Sequence, residues 1–295
     1  MKIALMSDLH LLSKKPDKRK DNILETQWEK LEFIFNYCKQ NKMFNFFQAG
    51  DMFDKPRDWN VLDRFIELKK KYRNLSILTI YGQHDMYQRN LGTVCNLSIL
   101  DSLEFVEVRQ LNMFNDFSVY GVSFEEEIPT PNKDETNFLI IHAPISNKEL
   151  FPGMEYTSAS LFLKKYPGYK MVLCGDIHHP FISSYKGRWI VNTGCLVRKT
   201  IADNYPVNFY VYDILTNTIK VVEIPHKPFE EIFKENFSPE TKKILEEFVS
   251  EISQNTTQGM DVIKNIYNFI EENKLSQDVK DVLLQIINEE DLKNG

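Results

Sequence analysis

The chain has 295 residues, 36 basic and 42 acidic, for a formal charge of −6. Hydrophobic residues make up 42% and charged residues 26%, a folded globular composition that excludes collagen-like, largely disordered and membrane-spanning classes. The acidic excess is local: residues 236–295 hold 12 acidic and 6 basic residues, which leaves 1–235 neutral. A neutral body is not the footprint of a surface coated for nucleic acid, so any such contact must be local.

No apolar run approaches the ~18 residues of a spanning helix. The apolar start, residues 3–6, stops at Asp8 and His10 and is too short for a signal peptide. Cys38, Cys95, Cys174 and Cys195 form no CxxC pair. They read as reduced, packed thiols of a cytoplasmic protein, not as a zinc ribbon.

Residues 2–6 predict a buried strand. Leu24, Trp28, Leu31 and Phe35 have helical spacing and predict a helix over 24–38. A strand over 44–48, a helix over 61–72 and a strand over 76–81 follow. This alternation predicts right-handed crossovers and a largely parallel sheet covered by helices. The second half predicts strands over 117–120, 137–141, 170–174, 188–192, 208–212 and 218–223. Pro225 and Pro228 mark a boundary within 224–236. Beyond it, Ser238-Pro239 suits a helix start. Apolar faces led by Ile244, Met260 and Val279 then predict three amphipathic helices.

The chemistry-bearing residues follow strands. Asp8-Leu9-His10 follows the first, Gly50-Asp51-Met52-Phe53-Asp54 the second and Gly82-Gln83-His84-Asp85 the third. His142 follows 137–141, and Gly175-Asp176-Ile177-His178 follows 170–174. Ligand crevices of α/β sheets lie outside the carboxyl ends of strands. Four of the six histidines sit at these ends. Imidazole, carboxylate and amide groups together suit a divalent ion such as Mn, Fe or Zn, and the lack of cysteine argues against a structural zinc site. Glycine before the acidic residue allows a tight turn and close backbone approach. Each motif alone is common; five in order are not.

The set DxH, GDxxD, GQHD, H and GDxH resembles the calcineurin-like metallophosphoesterase superfamily over residues 1–225. That resemblance implies a four-layer α-β-β-α sandwich of two mixed sheets, here with a C-terminal helical extension. The chain then divides into a catalytic domain (1–225), a linker (226–236) and a helical tail (237–295). It also implies two divalent metal ions bridged by one aspartate, with water activated between them. Asp8, His10, Asp51 and His178 would hold the first metal; Asp51, Gln83, His142 and Asp176 would hold the second. His84 would sit over the phosphate, and Asp85 would orient it. Two positions depart from the family pattern: Gln83 replaces Asn, and Asp176 replaces His. Gln83 keeps the amide oxygen and Asp176 puts an anionic oxygen in place of a nitrogen, which favours Mn or Mg over Zn. The rival reading is a weakened second site.

Lys55-Pro56 after the second motif, and Asp85 where protein phosphatases have Glu, disfavour a protein phosphatase. Gly50-Asp51-Met52-Phe53-Asp54, the stretch 118–121 (SVYG) and 191–195 before 207–213 resemble the SbcD-type nuclease branch. That likeness implies a Mn-dependent DNA exo- or endonuclease subunit and an SbcC-type coiled-coil ATPase docked on the C-terminal helices; a homodimer is a further candidate assembly. The competing readings are a phosphodiesterase or phosphatase on small nucleotides or metabolites, and a non-catalytic metal-binding scaffold.

Lys14, Lys15, Lys18, Arg19 and Lys20, with Lys55 and Arg57, are candidates to track a phosphate backbone; an ordinary solvated loop is the equal alternative. Lys69, Lys70, Lys71 and Arg73 read as helix C-terminal charges. His179 reads as a turn or substrate-facing residue, His226 as surface, and Trp28, Trp59 and Trp189 as core or interface.

Overall fold

The computed structural model describes residues 1–16, 19–114, 116–150, 154–200 and 203–233. The expected tail, the end of the expected linker and Lys18 lie outside these residues. The chain divides into two compact units, Met1–Lys148 with Tyr156–Phe233, and Glu149–Glu155 with Lys234–Gly295. The first carries the elements below.

The first half alternates as expected: β1 (Lys2–Met6), α1 (Ile23–Gln40), β2 (Asn45–Gln48), α2 (Trp59–Lys71) and β3 (Ser76–Thr79). Then come α3 (Asn96–Ser102), β4 (Glu107–Val108), β5 (Leu111–Met113), β6 (Ser118–Val122), β7 (Asn137–His142), β8 (Ile145–Ser146) and β9 (Thr157–Ser158). The rest is α4 (Ala159–Lys165), β10 (Tyr169–Gly175), β11 (Phe181–Tyr185), β12 (Arg188–Asn192), β13 (Asn208–Asp213), β14 (Thr218–Glu223) and α5 (Phe229–Ile232).

Two six-stranded sheets form, ordered β14-β13-β1-β2-β3-β4 and β11-β12-β10-β7-β6-β5. Each has a parallel centre and antiparallel pairing toward an edge. Side chains alternate across each strand. Ile3 and Leu5 join Phe47, Phe138, Ile140 and Leu173 in the core between the sheets. Ala4 and Met6 face the other way, with Phe46, Leu31, Phe35 and Phe65 under α1 and α2. On the far side, Leu139, Ile141 and Val172 pack against Phe162 and Leu163 of α4. The layers are therefore α, β, β, α, the expected sandwich of two mixed sheets. Both faces of the central strands are buried, which is why they read as continuous apolar runs.

Helix α2 starts where Asp58 accepts a hydrogen bond from the Val61 N–H at 3.3 Å, a side-chain cap for an orphan donor. Lys69, Lys70 and Lys71 lie in its last turn, as expected of partners for the C-terminal dipole, although Lys69 is buried.

Trp28 is buried, whereas Trp59 is 62% exposed at the α2 start, so of the core and interface readings only the interface one is left to Trp59. Two sequence expectations need correction. His226 is half-buried rather than a surface residue. Arg19 is 2% exposed and does not belong to a solvated basic loop. Its Nε and Nη2 each donate to Asp21 at 2.7 Å. Lys14, Lys15 and Lys20 are exposed.

Candidate metal centre

The loops after β1, β2, β3, β7 and β10 bring together all the motif residues. Asp8, His10, Asp51 and His142 are almost fully buried, and Gln83, His84, Asp176 and His178 reach the opening. Three of them turn the chain through positive φ: His10 at 46°, Asp51 at 50° and Asp176 at 94°. Such conformations cost non-glycine residues about 1–3 kcal/mol and cluster at functional sites.

Close packing of loop on loop makes the turns glycine-dependent. A Cβ on Gly82 would collide with the Asp51 amide nitrogen and Oδ1. One on Gly50 would stand 2.6 Å from His142 Nδ1. The approach these glycines permit is therefore to neighbouring motif residues.

The geometry places one carboxylate at the middle. Asp51 Oδ2 is 3.5 Å from His10 Nε2 and 3.6 Å from His142 Nε2. His10 Nε2 in turn faces His178 Nε2 at 3.0 Å. The Asp8, Asp51 and His142 donor atoms lie within 4.8 Å of one another, as do those of His10, Asp51 and His84. Asp176 connects to both sides: its backbone N–H donates to Asp8 Oδ1 at 3.1 Å, and its Oδ1 accepts from Gln83 Nε2 at 2.9 Å. The two positions that depart from the family pattern are thus bonded to each other.

That bond fixes the Gln83 amide, so Oε1 faces His142 Nε2 at 2.6 Å. His142 Nδ1 lies 2.6 Å from the Ala49 carbonyl. Both neighbours are oxygen acceptors, which favours the protonated ring. Burial opposes that charge, but Asp51, Asp8 and Asp176 outweigh it and push His142 up to about 9. Burial also pushes Asp8 up to about 6. It pushes His10 well below its usual range, helped by Lys199, leaving a neutral imidazole.

Asp85 works through the backbone. Its buried carboxylate accepts from Met52 N at 3.2 Å, Phe53 N at 3.0 Å and Gly82 N at 3.1 Å. The His84 ring is held by Asp54, whose carbonyl lies 3.1 Å from His84 Nδ1. Any orientation of His84 by Asp85 therefore passes through the loop.

Sequence reasoning missed four neighbours. Asp54, although inside a quoted motif, has its Oδ1 3.6 Å from His10 Nδ1. Lys199 Nζ meets the same oxygen at 2.5 Å. Asp203 Oδ1 lies 3.8 Å from His178 Nδ1. Cys195, buried, offers a sulfur within 4.8 Å of His10 and His178 donor atoms; burial holds its thiol protonated. Lys199, Asp203 and Cys195 lie beyond the last motif, where no spacing marks them.

The donor set fits divalent cations. Asp8 Oδ2 and Asp51 Oδ2 are buried with no hydrogen-bond partner, a costly state for carboxylate oxygens unless a cation meets them. Imidazole Nε2 groups facing each other, with carboxylates beside them, suit borderline divalent ions. His142 is also fixed through Nδ1 by a carbonyl, the usual support of a ligating histidine.

A family model described as calcineurin-like phosphoesterase superfamily domain matches residues 1–217. No curated protein matches the chain. Among solved structures, TT1561 of Thermus thermophilus is similar with a TM-score of 0.50 and 12% identity, over 76% of this chain and 99% of that one. An archaeal phosphodiesterase gives 0.41 and 14%, over 76% of this chain and 100% of that one. A dimetal phosphatase from Danio rerio gives 0.46 and 10%, over 71% of this chain and 92% of that one. The first of these likenesses speaks for the fold alone. With the family model spanning most of the chain, and every motif residue at one pocket, the protein belongs to the calcineurin-like phosphoesterase superfamily, whose members use a dinuclear divalent metal centre.

Proposed function

We propose that the protein is a metal-dependent phosphodiesterase that cleaves DNA. The observation that carries the phosphodiesterase reading is Asp51 Oδ2, buried, unpartnered and flanked by His10 and His142 at 3.5 and 3.6 Å. Asp51 would help to hold both cations. Asp8, His10 and His178 would complete one site, and Gln83, His142 and Asp176 the other. Divalent ions held there would supply positive charge to a phosphoryl group and lower the pKa of a water.

The remaining roles fall to this chain's own residues. His84 Nδ1 donates to the Asp54 carbonyl, so Nε2 is the nitrogen left to the substrate, and the ring in its imidazolium form would give the Nε2 proton to a leaving oxygen. Asp54 and Asp203 stand behind His10 and His178, their carboxylates facing the outer ring nitrogens at 3.6 and 3.8 Å. Gln83 and Asp176 present oxygen rather than nitrogen, so we assign Mn or Mg in preference to Zn.

What supports DNA over a small ester is the rim. Lys55, Arg57, Trp59 and Tyr87 are exposed just beyond the second and third motifs. Arg57 lies over the Tyr87 ring, 4.0 Å from its centroid. Cations with exposed aromatics suit a strand of phosphates and bases. Residues 237–295, as a docking element for a coiled-coil ATPase, belong to the same reading.

The test incubates the full chain and Mn with labelled duplex DNA, single-stranded DNA and bis-p-nitrophenyl phosphate. Cleavage of DNA that Asp51→Asn abolishes supports the proposal. Cleavage of the small ester alone moves the substrate to nucleotides or metabolites. A Mn-loaded protein inert on all three, with or without the ATPase partner, overturns the catalytic reading.

A further inference from the structure

A second polar cluster shares no residue with the metal centre. It surrounds a cavity of about 330 Å³ lined by residues of α1, the 19–21 segment, Arg198 and the 225–232 segment. Four of the lining side chains are cationic (Arg19, Lys30, Arg198 and Lys227), against Asp21 and Glu29. Asp21 is already engaged by Arg19 through two bonds of 2.7 Å. Glu29 is exposed.

Lys30 and Arg198 are the cations left over. Lys30 is 6% and Arg198 3% exposed, and neither has an ion-pair partner among the described residues. Lys30 Nζ donates to the Leu196 carbonyl at 3.0 Å, which uses one of its three protons. Arg198 Nη2 donates to the Lys227 carbonyl at 2.7 Å, while its buried Nε finds no partner. Burying cations without compensation is expensive. The cost is visible in Lys30, which burial, then Arg198 and Arg19, push down to about 7.

A planar guanidinium and an ammonium around one cavity form a receptor for a tetrahedral oxyanion. We propose that this cavity binds a small phosphate-bearing anion through Lys30 and Arg198, with Lys227 at its mouth. The volume is about ten times the share of one liquid water, so a phosphate ester fits as well as phosphate itself. The loop that carries Arg198 continues to Lys199, which is paired with Asp54 at the metal centre.

The probe is inorganic phosphate, titrated against the full chain in EDTA so that no metal binds it. Thermal unfolding is the readout, with chloride at equal ionic strength as control. Phosphate is expected to raise the melting temperature saturably. Asp51→Asn should keep that response, because it lies in the other site. Lys30→Met should weaken the apparent affinity at least about tenfold, the loss of one charge-assisted bond. Lys227→Glu, an exposed change that leaves its backbone carbonyl in place, should weaken it in the same direction. No saturable shift, a shift lost in Asp51→Asn, or one unchanged in both Lys30→Met and Lys227→Glu would each overturn the proposal.

Discussion

Gln83 and Asp176 replace the usual Asn and His of this superfamily's pattern, and they touch at 2.9 Å. The longer glutamine arm reaches a carboxylate that the shorter asparagine would not meet in the same place. The carboxylate then sets which end of the amide faces His142. Changing one alone breaks this arrangement: Gln83→Asn strands Asp176, and Asp176→His removes the acceptor that holds the amide. Metal affinity is expected to fall in each single variant by about tenfold. The double variant should recover part of that loss and shift preference toward Zn. Calorimetric titration of Mn and Zn into all four proteins checks this, and strictly additive losses would show that the two positions act independently. His84 makes a different prediction. It lies at the opening, so His84→Ala should leave Mn content intact and lower kcat by about 100-fold. Metal analysis alongside kinetics separates the two effects; parallel loss of both would make His84 a ligand.

At the scale of elements, the strand ends were legible because each motif sits on a buried apolar run. β1, β2, β3, β7 and β10 therefore stand where the sequence puts them, within a residue or two at their ends. What could not be read were α3, α4, α5 and the strands β4, β5, β8, β9 and β11. β4, β8 and β9 have two residues each, too few to show a period, and pairing with neighbours creates them. β5 buries none of its residues fully. Lys199 and Asp203 reach the metal centre from the long loop between β12 and β13, well past the strand end, so nothing local announces them. Arg19 was misread for a related reason: its burial comes from Asp21 nearby and from the Arg198 carbonyl far along the chain. Helix α1 carries the companion case, Lys30, one residue before the apolar face at Leu31. Its folded pKa, near 7, lies below the ordinary lysine value of about 10.4. Below pH 7 lysine is charged in both states, and its burial cost is present in full. As pH rises from 7 toward 10 the folded chain sheds the proton while the unfolded chain keeps it, so stability rises. Lys30→Met should remove that rise, a difference on the order of 3 kcal/mol across the window. Urea unfolding of both proteins at pH 7 and pH 9.5 measures it, and identical slopes would mean that Lys30 is not buried as a charge.

Across the whole body, the two sheets meet at one chemical seam. The first sheet supplies Asp8, His10, Asp51, Gln83 and His84 from the ends of β1, β2 and β3. The second supplies His142, Asp176 and His178 from the ends of β7 and β10. Apolar packing between the sheets, centred on Leu5, Phe47, Ile140 and Leu173, holds the layers together. At the seam, however, unpartnered carboxylate oxygens on Asp8 and Asp51 oppose closure. Cations bound there meet ligands from both sheets, and only the folded chain assembles that set. Binding to the native state alone stabilises by an amount that grows with the logarithm of ligand concentration, about 2.7 kcal/mol at one hundred times Kd. For a body of this size that is roughly 5–10 °C in melting temperature. Mn added to metal-free protein should therefore raise the melting temperature by several degrees, and EDTA should reverse the gain. Asp51→Asn removes the shared ligand and the largest of the three carboxylate charges, with Asp8 and Asp176, that push His142 up. It should melt no lower than metal-free wild type and gain little from Mn. If Mn stabilised the variant as much as the wild type, the ions would be binding elsewhere, and the seam between the sheets would not be the metal centre.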